Sequence, residues 1–210
     1  MIKAVIFDLD GVLVSTDELH YKAWKHVADQ EHIRFDQIIN DRIRGVLRMD
    51  SLDIILEHSD KTFDALEKLR IANQKNHYFL DLLTKFDASN IMPGVIETLK
   101  FLKSNHIPIA IGSSSANSKK ILSQVGLLEA FDVIVDGNNF TRSKPDPEVF
   151  LLAASKLGVP PEYCLVVEDG ISGVKAALAA GMSVFALGDA AKSHLASYQG
   201  ASILQIIALF

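Results

Sequence analysis

The sequence predicts an α/β protein, a three-layer Rossmann-like core with a parallel sheet and an inserted all-helical cap. Three observations predict it. Short β-rich apolar runs end in polar or acidic residues, amphipathic helical segments alternate with them, and one long early stretch shows helical spacing alone.

The strand-like runs are 3–7 before Asp8, 107–111 before Gly112 and Ser113, and 164–167 before Glu168 and Asp169, with further candidates at 131–135 and 183–187. Such continuous apolar runs suit strands buried on both faces. Helical patterns fall at 94–104, 117–125, 147–157 and 171–180. Pro147 suits a first helical turn behind an Asp146 cap, and Gly126, Gly158 and Gly181 suit helix ends. From 16 to 86 no β run interrupts the helical spacing. Leu19, Ala23, Trp24 and Val27 make one apolar stripe, and Leu66, Leu69, Leu80 and Leu83 make another on a longer segment. The expected division is therefore a core of 1–15 and 87–210 and a cap of 16–86.

Composition narrows the function classes. The 210 residues are 49% hydrophobic, which is ample for a packed core and excludes a disordered chain. A net charge of -5, from 26 acidic and 21 basic residues, argues against a nucleic-acid partner bound by phosphate neutralisation. Asp8 and Asp10 interrupt what would have to be a signal-peptide core, and the uncharged stretch 176–187 is far short of the roughly 18 apolar residues of a membrane span. The single cysteine, Cys164, forms no internal disulfide and lies in an apolar run, so it reads as packing rather than as a nucleophile. The expectation is a cytoplasmic monomer without a membrane or nucleic-acid partner.

Parallel sheets place ligand sites outside the carboxyl ends of their strands. Those ends carry Asp8 and Asp10, Ser113 and Ser114, and Glu168 and Asp169, with Lys144 on a loop ahead of Pro145. Four carboxylates sharing one crevice repel one another, and a divalent cation removes the conflict. Oxygen donors without a His and Cys cluster favour Mg2+. A lysine and hydroxyl donors beside such an ion suit a phosphoryl group. In Asp8-Leu9-Asp10-Gly11, Asp8 would attack phosphorus, while Asp10 would protonate the leaving oxygen and later deprotonate the acceptor.

Asp8-Leu9-Asp10-Gly11, Ser113, Lys144-Pro145 and Glu168-Asp169, in this order and spacing, resemble the four motifs of the haloacid dehalogenase-like phosphotransferases. The resemblance covers the whole chain. It implies that Asp8 forms an aspartyl-phosphate. It also implies Mg2+ held by Asp8, the backbone carbonyl of Asp10 and Asp169, with Glu168 mostly behind them. Ser113, Ser114 and Lys144 would hold the phosphoryl oxygens.

The cap run Arg44-Gly45-Val46-Leu47-Arg48-Met49-Asp50-Ser51-Leu52, preceded by Thr16, His20, Ala23 and Trp24, resembles the β-phosphoglucomutases. Their caps carry a Gly-Val-x-Arg-x-Asp-Ser-Leu loop and a His-x-x-Ala-Trp helix. That resemblance implies a sugar-phosphate substrate bound by Thr16, His20, Trp24, Arg44, Gly45, Val46, Arg48, Lys75, Ser115 and Asn117. It implies a Mg2+-dependent phosphomutase that converts β-glucose 1-phosphate to glucose 6-phosphate through glucose 1,6-bisphosphate. Arg48 would grip the distal phosphate bidentately. The plainer alternatives are a solvated Arg48, an exposed Lys75, a core Trp24 and a partly buried His20. A sugar-phosphate phosphatase of the same superfamily is the second functional reading, and a non-catalytic sugar-phosphate-binding protein the third. Three residues depart from the pattern. Ser15 replaces an Asp, Leu47 a Ser, and Ala116 a basic residue for which Lys119 or Lys120 would compensate.

Overall fold

The computed structural model describes every residue, Met1–Phe210. The chain enters through β1 (Ala4–Phe7) and then forms four consecutive helices, α1 (Asp17–Gln30), α2 (Gln37–Ile43), α3 (Arg48–Leu56) and α4 (Ala65–Leu83). From there strands and helices alternate: α5 (Val95–Ser104), β2 (Ile109–Gly112), α6 (Ser118–Gln124), β3 (Val133–Val135), α7 (Glu148–Leu157), β4 (Cys164–Glu168), α8 (Ile171–Ala179), β5 (Ser183–Ala186) and α9 (Gly188–Ala191). The two-residue β6 (Tyr198–Gln199) and a 3-10 segment, Ile203–Leu209, follow.

All adjacent strands pair in parallel, in the order β3-β2-β1-β4-β5-β6. The strand order reverses at β1, which opens the crevice at its carboxyl end, where Asp8 follows directly. Period-two alternation divides the apolar side chains between two cores. Val5, Phe7, Ile109, Ile111, Leu165 and Val167 face α5, α6 and the 3-10 segment. Ala4, Ile6, Ala110, Cys164 and Val166 face α7, α8 and α9. A fully buried side chain such as Phe7 contributes about 1.5–3 kcal/mol through removal from water. Cys164 is a buried member of the second core, and burial pushes its thiol up to about 11, so it stays protonated.

The expected elements are present with small shifts at their ends. β6 is an addition to them, because two exposed residues leave no apolar run to read. Pro147 occupies the N-cap position of α7, while the Asp146 carboxylate accepts from the Glu148 N–H at 2.9 Å. Gly126, Gly158 and Gly181 do follow α6, α7 and α8.

The helical insert has its own core, built from Trp24, Val27, Ile39, Ile43, Leu52, Ile55 and Ile71 among others. The expected stripe on α4 is corrected. Leu66 and Leu69 are 78% and 50% exposed, and the buried face is Ile71, Ala72, Lys75, Phe79 and Leu83. A capping box between Asp64 and Glu67 starts α4, leaving Leu66 and Leu69 on its solvent side. Ala23, Phe79 and Leu83 belong to the core beneath the sheet, so α1 and α4 also join the insert to it. No helix is long and apolar enough to cross a membrane.

Candidate active site

Asp8 takes its place from the sheet. Its N–H donates to the Val167 carbonyl at 3.0 Å, extending the β1–β4 ladder by one residue and aiming the carboxylate at the crevice. Glu168 and Asp169 end β4 beside it. One oxygen each from Asp8, Glu168 and Asp169 lie within 4.8 Å of one another. Gly11 lets the backbone pass this cluster at a φ of +81°, where a Cβ would overlap the Asp169 carboxylate.

Lys144 is 2% exposed beneath these acids. Its ammonium donates to Asp8 Oδ1 at 2.7 Å and Glu168 Oε1 at 2.6 Å. Burial works against its charge, but Asp8 and Glu168 outweigh it and raise the lysine above its ordinary range. Burial, reinforced by Glu168, Asp10 and Asp169, conversely pushes the Asp8 carboxyl well above the usual carboxylate range despite Lys144. Asp169 is pushed up to about 7, first by burial and then by Glu168. The cluster therefore holds more negative charge than one lysine neutralises, and its all-oxygen donor set fits a hard divalent cation such as Mg2+.

The Asp10 carboxylate lies outside that cluster. The carboxylate turns to the insert, accepting from the Thr16 hydroxyl and facing His20 Nε2 at 3.7 Å, which leaves the backbone carbonyl of Asp10 as the group expected to face the ion. Burial would raise its pKa, yet His20, Thr16 and Lys75 outweigh burial and hold it below the ordinary carboxylate range. Thr16 stands at the N-cap of α1 without capping it, because its hydroxyl is committed to Asp10.

Lys75 is not an exposed helix lysine. It is 3% exposed, donates to His20 Nδ1 at 3.0 Å and lies over the Trp24 ring at 4.9 Å. Trp24 packs in the insert's core and also lines the cleft. Burial, helped by Arg48, pushes Lys75 down to about 7, and burial and Lys75 lower His20. Because unfolded lysine titrates near 10.4, the folded protein binds fewer protons between about pH 7 and pH 10, so this group adds stability as pH rises through that window. Relative to Lys75→Met, wild type should gain stability at up to about 1.4 kcal/mol per pH unit from pH 7 to 9 in urea titrations. Parallel curves for the two proteins would reject the depressed lysine.

The cleft above the acids spans about 850 Å³, its mouth included. Asp8, His20, Trp24, Arg44, Gly45, Val46, Arg48, Lys75, Ser115 and Asn117 line it. Three expected residues also bond within the protein, and of these Ser114 and Arg44 line the cleft. Ser113 is fully buried below the cleft, accepting the Ser115 N–H at 3.0 Å, which leaves its own proton free to donate. The Ser114 hydroxyl donates to the Gly45 carbonyl at 2.7 Å and so is committed to the insert. Arg44 lines the cleft but bonds Asp169 Oδ2 at 2.6 Å and Asp17 Oδ2 at 2.9 Å. Lys119 and Lys120 are exposed and do not line the cleft, so neither replaces the missing base at Ala116. Arg48 is half-buried, and it and Asn117 both donate to Asn76 Oδ1 at 2.9 Å, joining insert to core.

Asp17, Asp50, Ser143 and Ser172 are contacts that sequence reasoning missed. Asp17, an acid directly after Thr16 in the first turn of α1, is the one with a local signal. The others meet partners 93 to 128 residues away.

A family model described as haloacid dehalogenase-like hydrolase matches residues 2–181. A β-phosphoglucomutase of Bacillus subtilis is 40% identical over 188 residues, covering 89% of this chain and 82% of that protein. A phosphorylated carbohydrates phosphatase of Thermotoga maritima is 38% identical, covering 86% and 82%. The crystal structure of a β-phosphoglucomutase from Clostridium difficile superimposes with a TM-score of 0.94 at 36% identity, covering 98% of this chain and 93% of that one. With the motif residues gathered at the reversal of a parallel sheet and the family match running from β1 through β4 and α8, the chain belongs to the haloacid dehalogenase-like hydrolases.

Proposed function

We propose that this enzyme is a sugar phosphomutase that interconverts β-glucose 1-phosphate and glucose 6-phosphate, with residues 16–86 acting as a cap that closes over Asp8. The observation that carries this reading is a second cationic locus. Arg48 faces the cleft from the insert, while Lys144 is bound to Asp8 in the core. A bisphosphate needs both ends gripped at once, and a monophosphate needs only one.

The cycle starts with phosphorylated Asp8. As the C6 hydroxyl of β-glucose 1-phosphate attacks that phosphorus, Asp10 takes the hydroxyl proton and the bond to Asp8 breaks. The resulting 1,6-bisphosphate turns over in the closed cleft. Asp8 then attacks the phosphorus at C1, and Asp10 returns its proton to the departing oxygen. The proton is conserved within one cycle, so Asp10 can begin ionised, as its lowered pKa favours. Phosphatase action on unmodified Asp8 would instead need Asp10 protonated at the start. Mg2+ on Asp8, Asp169 and the Asp10 carbonyl would offset the charge of the phosphoryl group. Lys144 and Ser113 would hold the phosphoryl oxygens, and the closed cap would exclude water from the aspartyl-phosphate.

A phosphatase acting on a small sugar phosphate is the second reading. It is favoured by Ala116, which removes one cation from the distal end, and by the Thermotoga maritima relative. One assay separates the two: β-glucose 1-phosphate, Mg2+ and a trace of glucose 1,6-bisphosphate, with glucose 6-phosphate and free phosphate measured separately. Glucose 6-phosphate should accumulate. Stoichiometric free phosphate in its place would establish the phosphatase, and binding without turnover would establish a sugar-phosphate-binding protein. In the same assay Arg48→Ala should lower mutase kcat/KM by about 30- to 100-fold, the value of a charge-assisted phosphate contact. Hydrolysis of p-nitrophenyl phosphate should fall far less, and equal losses would remove the distal-phosphate role.

A further inference from the structure

Leu47 occupies the N-cap position of α3 with no side-chain cap bond. Ser, Thr, Asp or Asn belongs there on local grounds, and an aliphatic residue leaves the first turn uncapped. The compensation is tertiary. Leu47 packs against the apolar core formed with α7 and α8, across the boundary between insert and sheet. Its N–H, unused by α3, donates to Ser143 Oγ at 3.0 Å, and that hydroxyl in turn donates to Asp50 in the first turn of α3. Ser143 thus spends both its acceptor and its donor on the insert, and the next residue is Lys144, bound to Asp8 and Glu168. Two further core serines hold the same run, Ser114 on the loop after β2 to the Gly45 carbonyl at 2.7 Å and Ser172 in the first turn of α8 to the Arg44 carbonyl at 3.3 Å.

We infer that Leu47, Asp50 and Ser143 form a docking latch that is made only when the cap is closed, with Ser143 the positioning residue that registers the 44–50 loop against the lysine-bearing loop. It rests on the proposed closure of the cap over Asp8. Leu47 is suboptimal for α3 alone and favourable only against the core, so it shifts the open–closed equilibrium toward closure instead of stabilising the insert. Arg48 is the first residue of α3, and the latch therefore also fixes where its guanidinium stands over the cleft.

The test reads closure without requiring turnover: hydrogen exchange of the 44–50 amides, and the rate of tryptic cleavage after Arg44 and Arg48. Ser143→Ala loses two hydrogen bonds and should raise both rates about tenfold, while thermal stability changes little. Leu47→Ser is the sharper variant, because it supplies a better cap to α3 while removing the apolar contact. A local role predicts slower exchange, and the latch predicts faster. Asp50→Asn keeps an acceptor for Ser143 and should behave as wild type. Unchanged or slower exchange in Leu47→Ser would overturn the latch, even if Ser143→Ala were too unstable to study. Where the sugar phosphate is turned over, KM should rise more than kcat falls. If the assay above yields only free phosphate while the 44–50 loop is released as expected, the mutase reading fails and the latch stands.

Discussion

Asp8→Asn is expected to abolish turnover of every phosphate ester, lowering kcat by a factor of about 10⁴ or more, because an amide oxygen is a poor nucleophile toward phosphorus. The fold should survive. The amide side chain would still offer a carbonyl oxygen to Lys144, which in the wild-type protein reaches Asp8 Oδ1 at 2.7 Å. The change also removes one charge from a buried cluster in which burial and the neighbouring Glu168, Asp10 and Asp169 already oppose ionisation of Asp8. Thermal stability should therefore hold or rise while activity disappears. Mass spectrometry after treatment with acetyl phosphate should find a phosphorylated Asp8 peptide in wild type alone. Turnover retained by a well-folded Asp8→Asn protein would exclude an aspartyl-phosphate and place the chemistry elsewhere.

Lys144→Ala has the largest expected effect on stability. The ammonium is the buried cation that bonds both Asp8 and Glu168, and Asp169 stands beside them without a bond to it. Removing one partner from a buried charged group leaves the others uncompensated, at about 3–5 kcal/mol. For a chain of 210 residues this is roughly 6–20 °C in Tm. The defect should shrink as pH falls toward 5, because Asp8 and Asp169 have raised folded-state pKa values and take up protons early, which removes the repulsion. Calorimetry at pH 5 and 8 gives both values. A loss below about 1 kcal/mol at pH 8 would mean that the acids are hydrated rather than sealed with the lysine.

The strands at 3–7, 107–111 and 164–167 were legible because both faces of each are buried, which leaves continuous apolar runs. The motif residues were legible for a related reason: they follow those strands immediately, so locating the strand locates Asp8, Ser113, Glu168 and Asp169. Lys144 lies on a loop and was found through its motif. The insert was harder. Leu66 and Leu69 have the spacing of a buried stripe, yet α4 turns Lys75 inward instead, because His20 offers a hydrogen-bond partner and the Trp24 and Phe79 rings offer faces to the ammonium. Phe79 lies one turn along α4, but His20 and Trp24 lie on α1, more than 50 positions away and outside any local window.

By itself the sequence determined the fold class, the family and the order of reactive groups along the sheet, since each depends on the periodicity of a single element or on residues adjacent in the chain. The tertiary structure alone decided which side chains serve the cleft and which hold the two parts together. Arg44, expected to meet substrate, bonds Asp169 and Asp17, and Ser114 bonds Gly45. Leu47, a departure when read locally, gains its purpose only against the sheet core and Ser143. The physical reason is the range of the interactions: caps, turns and alternation act over a few residues, whereas hydrogen bonds and burial between cap and core join groups about 40 to 130 positions apart.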